Sequence, residues 1–129
     1  MTAQTDEPLT GARVLVLEDE TLVSMMVEDM LLDLGCEVVG PFAKLEQALA
    51  FIDGGDGKLD AALLDVNLGG ERSFPMAEAL AGKGVPFVFT TGYDESGLPE
   101  IWRGRPTLRK PFMMGEMADA LRKALPAKG

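Results

Sequence analysis

Four short apolar runs, each closing on a polar residue, constrain this chain more than any other feature. Residues 13–17 end at Glu18-Asp19, residues 61–64 at Asp65, residues 85–90 at Thr91-Gly92, and residues 107–109 at Lys110-Pro111. Apolar runs of this length with helical segments between them read as buried parallel strands. In an open parallel sheet, ligands bind outside the carboxyl ends of the strands. Three acids, a hydroxyl and an ammonium are therefore expected to converge on one sheet edge. Together they can hold a divalent cation and a phosphoryl group.

The segments between the runs carry the helical period. Over residues 20–34, Val23, Met26, Val27, Met30, Leu31 and Leu34 fall at helical spacing and read as a core-facing stripe. Gly35 follows as a helix stop. Residues 37–40 read as a short strand, and residues 44–53 as a helix with Leu45, Ala48, Leu49 and Ile52 on one face. Residues 54–57 form a turn. A third strand is expected over 60–65, a loop over 67–70, a helix over 74–82 and a strand over 85–91. A poorly patterned helix, interrupted near its start by Pro99, covers 95–103. A short strand at 107–109 and a last helix over 113–125 complete the pattern. Five strands alternating with five helices predict a three-layer, doubly wound α/β fold with a parallel sheet. Residues 1–12 read as a disordered lead-in and residues 13–127 as one domain, so output is expected from the surface of that domain.

Composition narrows the function. A net charge of −9 argues against nonspecific nucleic-acid binding, which needs a basic surface to displace counterions, and against docking on anionic lipid. The chain has no histidine, which removes His-based catalysis, His metal ligation and phosphohistidine formation on this chain. Its single cysteine, Cys36, allows no intrachain disulfide and reads as a small, partly buried filler. The eight methionines read mostly as filler on core helix faces. The N-terminus lacks a signal-peptide pattern, and no apolar stretch reaches the ~18 residues of a membrane helix. A cytoplasmic setting is the expectation.

The strand-end residues suit phosphoryl chemistry. Asp65 is the candidate nucleophile, since a carboxylate can form an aspartyl-phosphate. An incoming phosphate and a carboxylate repel each other. Mg²⁺ relieves this, binding hard oxygens through one or two carboxylates. Asp19 and Asp65 suit direct ligation, Glu18 a bond through water, and the backbone carbonyl of Asn67 the remaining protein ligand. Lys110 neutralises a phosphoryl oxygen, while Thr91 and the Gly92 N–H supply donors. Pro111 is a natural place for a cis peptide that aims Lys110. Positioning and charge neutralisation are most of what phosphoryl transfer asks of a protein.

At these residues the chain resembles the receiver domain of two-component response regulators, over about residues 13–125. The resemblance implies a flavodoxin-like fold with strand order 2-1-3-4-5 and Mg²⁺-dependent phosphorylation of Asp65. The donor would be a histidine kinase or a histidine phosphotransfer protein. An altered surface would then be read by a downstream protein, with the chain a monomer or a phosphorylation-dependent dimer. Receivers usually carry an aromatic residue where Thr107 stands. The stretch Phe89-Thr90-Thr91-Gly92-Tyr93 is instead similar to the Phe-x-Thr-Gly-Tyr signature of the FAT GUY subfamily of single-domain regulators. Tyr93 is thus placed to take over part of the coupling and to shield the phosphoryl group from water. In the weakly patterned stretch near 95–103, Trp102 and Ile101 are candidates for a partner surface.

Other readings fit less well. A phosphohydrolase using an aspartyl-phosphate needs an acid two positions after its nucleophile, where this chain has Asn67, and room for a substrate cap. The chain is therefore expected to act as an acceptor, not as an enzyme on an outside substrate. A flavin binder of similar fold needs a phosphate-cradling loop where Glu18-Asp19-Glu20 stands. The main alternative is a degenerate receiver that binds partners without phosphorylation, against which Glu18, Asp19, Asp65, Thr91 and Lys110 argue.

Overall fold

A computed structural model describes residues 9–54, 58–92 and 98–125. Its centre is a five-stranded parallel sheet. β1 (Arg13–Leu17) lies between β2 (Glu37–Phe42) and β3 (Ala61–Asp65), followed by β6 (Phe87–Thr91) and β7 (Thr107–Arg109) at the far edge. The order β2-β1-β3-β6-β7 is the 2-1-3-4-5 order expected for a flavodoxin-like sheet. Helices α1 (Thr21–Asp33), α2 (Leu45–Asp53), α3 (Phe74–Gly82) and α4 (Met114–Ala124) supply the crossovers.

The central strands are buried along their whole length, as strands covered on both faces must be. Because side chains alternate across a strand, each strand feeds two separate apolar layers. Val14, Val16, Ala61, Leu63 and Val88 pack with α1 and α4. Leu15, Leu17, Ala62, Leu64, Phe87 and Phe89 pack with α2 and α3. Among the described residues, no helix is long and apolar enough to cross a membrane.

The structure departs from the sequence expectations in four places. Residues 9–12, expected within the disordered lead-in, are part of the fold: Leu9 and Ala12 are buried in the layer under α1 and α4, and Cys36 donates its thiol to the Leu9 carbonyl. Residues 1–8 lie outside the described residues. The strand expected over 37–40 runs on to Phe42, through Gly40 with a φ of +97°. The loop expected over 67–70 is a small antiparallel hairpin of β4 (Asn67–Leu68) and β5 (Glu71–Arg72). Gly69 and Gly70 both have positive φ, the combination a two-residue hairpin turn needs.

Finally, the helix expected over 95–103 is, among the described residues, a single 3₁₀ turn at Glu100–Trp102. The sheet therefore has four α-helical crossovers or flanks among the described residues, not five. Pro99, with a ψ of 150°, stands outside helical geometry immediately before that turn, and residues 95–97 of the expected helix lie outside the described residues.

Candidate functional site

The carboxyl ends of β1, β3, β6 and β7 meet at one edge of the sheet, and the polar residues that follow them meet there too. Glu18 is buried directly after β1, where its N–H donates to the Phe42 carbonyl at 2.9 Å. Its Oε2 accepts the Glu20 N–H at 3.0 Å. Asp65 is the last residue of β3 and is 4% exposed. It sits opposite Thr90 in the parallel register with β6. The backbone of Lys110 is tied to the end of β6 by its N–H bond to the Thr91 carbonyl, at 2.8 Å. The peptide between Lys110 and Pro111 is cis, as the sequence suggested.

These placements bring four charges together. The Lys110 Nζ lies 2.8 Å from Glu18 Oε1 and 3.1 Å from Asp65 Oδ2, with Glu20 Oε1 at 3.7 Å. Carboxylate oxygens of Glu18, Asp19 and Asp65 fall within 4.8 Å of one another, the first and last buried and Asp19 exposed. Asn67 donates its N–H to Asp65 Oδ1 at 3.3 Å, and its own Oδ1 accepts the Gly70 N–H at 2.7 Å. The hairpin thus braces the residue from which a carbonyl ligand was expected.

The electrostatics follow from this crowding. Burial, and after it the Glu18 carboxylate, push the Asp65 carboxyl up from an ordinary 3.8 to about 7, against the pull of Lys110. Burial alone would lower the Lys110 ammonium. The hydrogen bond to Glu18 and the charge of Asp65 outweigh it and hold Lys110 above its ordinary value. Two buried carboxylates, Glu18 and Asp65, share one ammonium, with the exposed Asp19 and Glu20 close by, so negative charge is in surplus. Hard oxygen donors with surplus negative charge fit Mg²⁺.

The remaining candidates divide. Thr91 is buried at the end of β6, and Gly92 is exposed and lines the same cavity as Asp65 and Lys110. Tyr93 lies outside the described residues. Thr107 opens β7 on the surface, opposite Phe89 in register, and donates its hydroxyl to the Arg105 carbonyl at 3.2 Å. Trp102, a candidate for the partner surface, is corrected: it is 5% exposed and packs edge-on against Phe87 and Phe89. The Arg105 guanidinium lies 4.6 Å over the Phe87 ring and 5.6 Å over Trp102. Ile101, its neighbour, is 73% exposed.

No family model matches the chain. The solution structure of SdrG from Sphingomonas melonis Fr1 superposes with a TM-score of 0.78 and 47% identity. That match covers 87% of this chain and 94% of that one. The receiver domain of the PhyR response regulator from Erythrobacter litoralis gives a TM-score of 0.73 at 25% identity, covering 94% of this chain and 97% of that one.

The chain belongs to the response regulator receiver family.

Among curated proteins, the transcriptional regulatory protein PdtaR of Mycobacterium tuberculosis is 28% identical over 117 residues, covering 88% of this chain and 56% of the relative. The receiver thus spans about half the length of the curated relatives it matches.

The cavity lining beside the acids of this receiver escaped the sequence reading. Val23 packs against the core as expected and also lines the cavity next to Asp65, whereas Met26, assigned to the same stripe, is exposed and lines that cavity with Pro111 and Phe112. The methionines likewise divide: Met76 and Met117 are fully buried, while Met25, Met26, Met113 and Met114 are exposed. The available signal was position. Val23 and Met26 fall in the first two turns of a helix that begins at the carboxyl edge, directly after Glu18-Asp19.

Proposed function

We propose that this receiver is a phosphoacceptor switch of two-component signalling, with Asp65 as the acceptor. The observation that carries this is the buried Asp65 carboxylate, 3.1 Å from the Lys110 ammonium and within 4.8 Å of the Glu18 and Asp19 carboxylates. An Asp65 oxygen attacks phosphorus, a P–O bond forms, and the P–N bond of a phosphohistidine breaks. Lys110 neutralises a phosphoryl oxygen, and Thr91 donates its hydroxyl to another. Glu18, Asp19, Asp65 and the Asn67 carbonyl would hold Mg²⁺, which when bound screens the repulsion between carboxylate and phosphoryl oxygens.

The donor is a histidine kinase or a histidine phosphotransfer protein, and the phosphoryl group adds roughly two negative charges at one spot. Thr91 and Lys110 gain contacts with that group, so the ends of β6 and β7, already joined by the bond between Lys110 and Thr91, are biased toward a second arrangement. That arrangement either switches a protein-binding surface or passes the phosphoryl group on. The stretch Phe89-Thr90-Thr91-Gly92-Tyr93 supports a FAT GUY-type receiver, with Tyr93 in place of the usual aromatic at Thr107. Support also comes from SdrG, for which a BeF3-activated conformation has been solved.

The test is intact mass after incubation with acetyl phosphate and Mg²⁺, wild type beside Asp65→Asn. One added phosphoryl group, abolished by EDTA and absent in the variant, is the expected result. No gain in a folded wild type, with histidine kinases also failing as donors, would overturn the proposal in favour of a phosphorylation-independent binding module.

A further inference from the structure

At the amino edge of the sheet, the end opposite Asp65, lies a cavity of about 490 Å³. Small-molecule sites run to about 300–1,000 Å³. Gly84, Val85 and Pro86 line it from the turn between α3 and β6, Arg105 from the segment before β7, and Lys123 and Leu125 from the end of α4. The chain carries a net charge of −9, yet two cations and no acidic side chain line this cavity. Among the described residues, neither the Arg105 guanidinium nor the Lys123 ammonium has a carboxylate or carbonyl partner.

Arg105 is held without an ion pair. Its guanidinium lies over the Phe87 and Trp102 rings, an attraction that fixes the cation and supplies no oxygen acceptor to its N–H donors. Two helices end here, α3 at Gly82 and α4 at Ala124, and carbonyls at helix C-termini attract cations. Backbone bonds already occupy them. The N–H groups of Lys83 and Val85 donate to the Leu80 carbonyl, that of Gly84 to Ala81, and that of Leu125 to Leu121. The same bonds decide which anion fits. Phosphate sites draw on free backbone N–H groups. Here those of Gly84, Val85 and Leu125 are committed, that of Arg105 donates to the Trp102 carbonyl, and Pro86 has none. A carboxylate asks for less, because one guanidinium offers it two parallel N–H bonds.

We propose that this cavity binds a small organic carboxylate with an aliphatic body. Arg105 holds the carboxylate, the exposed Lys123 adds charge at the rim, and Val85, Pro86 and Leu125 receive the apolar part. Binding asks nothing of Asp65, so the site stands apart from the phosphoacceptor reading. Its occupant would tie the segment before β7 to the turn before β6. The Pro106 carbonyl of that segment already accepts the Phe89 N–H at 3.2 Å. A ligand there therefore braces the start of the β6–β7 pairing, two strands whose other ends lead to Thr91 and Lys110, and gives the domain a second input.

The test is an amide NMR titration of the full, isotope-labelled chain at constant pH and ionic strength. The probes are isovalerate, its uncharged amide isovaleramide, and inorganic phosphate. Isovalerate is expected to shift the Gly84, Val85 and Leu125 amides and the Trp102 indole N–H saturably and to leave the Asp65 amide in place. Isovaleramide and phosphate should leave all of them in place. Arg105→Gln should weaken isovalerate binding about tenfold or more, as loss of a charge-assisted hydrogen bond does, and Lys123→Gln about threefold. The spectra themselves report whether each variant folds. No shift with isovalerate, equal shifts with isovaleramide or with phosphate, shifts centred on the carboxyl edge, or full affinity in Arg105→Gln would each overturn the site. Should Arg105→Gln fail to fold, unchanged affinity in Lys123→Gln would overturn it instead.

Discussion

Replacing Asp65 with asparagine should make the metal-free protein more stable. A carboxyl that titrates near 7 in the fold and near 3.8 in the unfolded chain costs the fold about 4 kcal/mol at pH 8. The isosteric amide removes that cost and introduces a desolvation cost of its own, about 1–2 kcal/mol. The balance is a gain of about 2 kcal/mol, or about 8 °C in melting temperature for a domain of this size. The pH dependence has a definite sign. Asp65 keeps its proton in the fold up to about pH 7 and loses it near pH 4 when unfolded. The folded state therefore binds the extra proton between those values, and wild-type stability falls as pH rises across that window. The advantage of the variant should thus be full at pH 8, about half as large near pH 6, and lost near pH 5. Thermal melts in EDTA at the three pH values measure this directly. Adding Mg²⁺ at pH 8 should raise the wild type more than the variant and narrow the gap. A variant that melts at or below wild type at pH 8 in EDTA, or an advantage independent of pH, would refute the electrostatic account of the site.

Other consequences are equally concrete. Lys110→Met strips the ammonium from two buried carboxylates and should cost about 3 kcal/mol in EDTA, read as a lower urea midpoint. Trp102→Ala empties the space against Phe87 and Phe89 and should cost about 3–5 kcal/mol; Ile101→Ala, on the exposed neighbour, should stay within about 0.5 kcal/mol. Thermal melts of the pair would expose an error if Ile101 proved the costlier. Gly40→Ala puts a Cβ 2.8 Å from the Phe42 nitrogen at a φ of +97°. It should destabilise by about 2 kcal/mol or more, and an unchanged urea midpoint would show that the β2 backbone at Gly40 relaxes freely.

Most of the sheet was legible because its residues do one job at a time. The stretches 14–17, 61–64 and 87–89 are apolar throughout, since both faces of each strand are buried there, and the polar residues that follow mark the edge where the site forms. Legibility failed where one segment serves two surroundings. Val23 and Met26 keep the helical period of α1, so periodicity alone assigns them to the core. In the fold Val23 does pack against the core while also lining the cavity, and Met26 is exposed beside the site. Trp102 fails differently. It stands in a stretch with no period, and only the sheet behind it, with Phe87 and Phe89 side by side, decides that the ring turns inward. Leu9 belongs with it: an isolated apolar residue in a polar lead-in, buried through long-range packing that no local pattern announces.

The strands of the central sheet send alternate side chains into two layers that share little besides backbone. Substitutions under α1 and α4 should therefore combine additively with substitutions under α2 and α3, except at the carboxyl edge where both layers reach Asp65 and its neighbours. In descent, such an arrangement lets one flank of the molecule drift and be retuned while the opposite flank is held constant. Surfaces on the two sides can then acquire new specificities at different times without passing through an unfolded intermediate sequence.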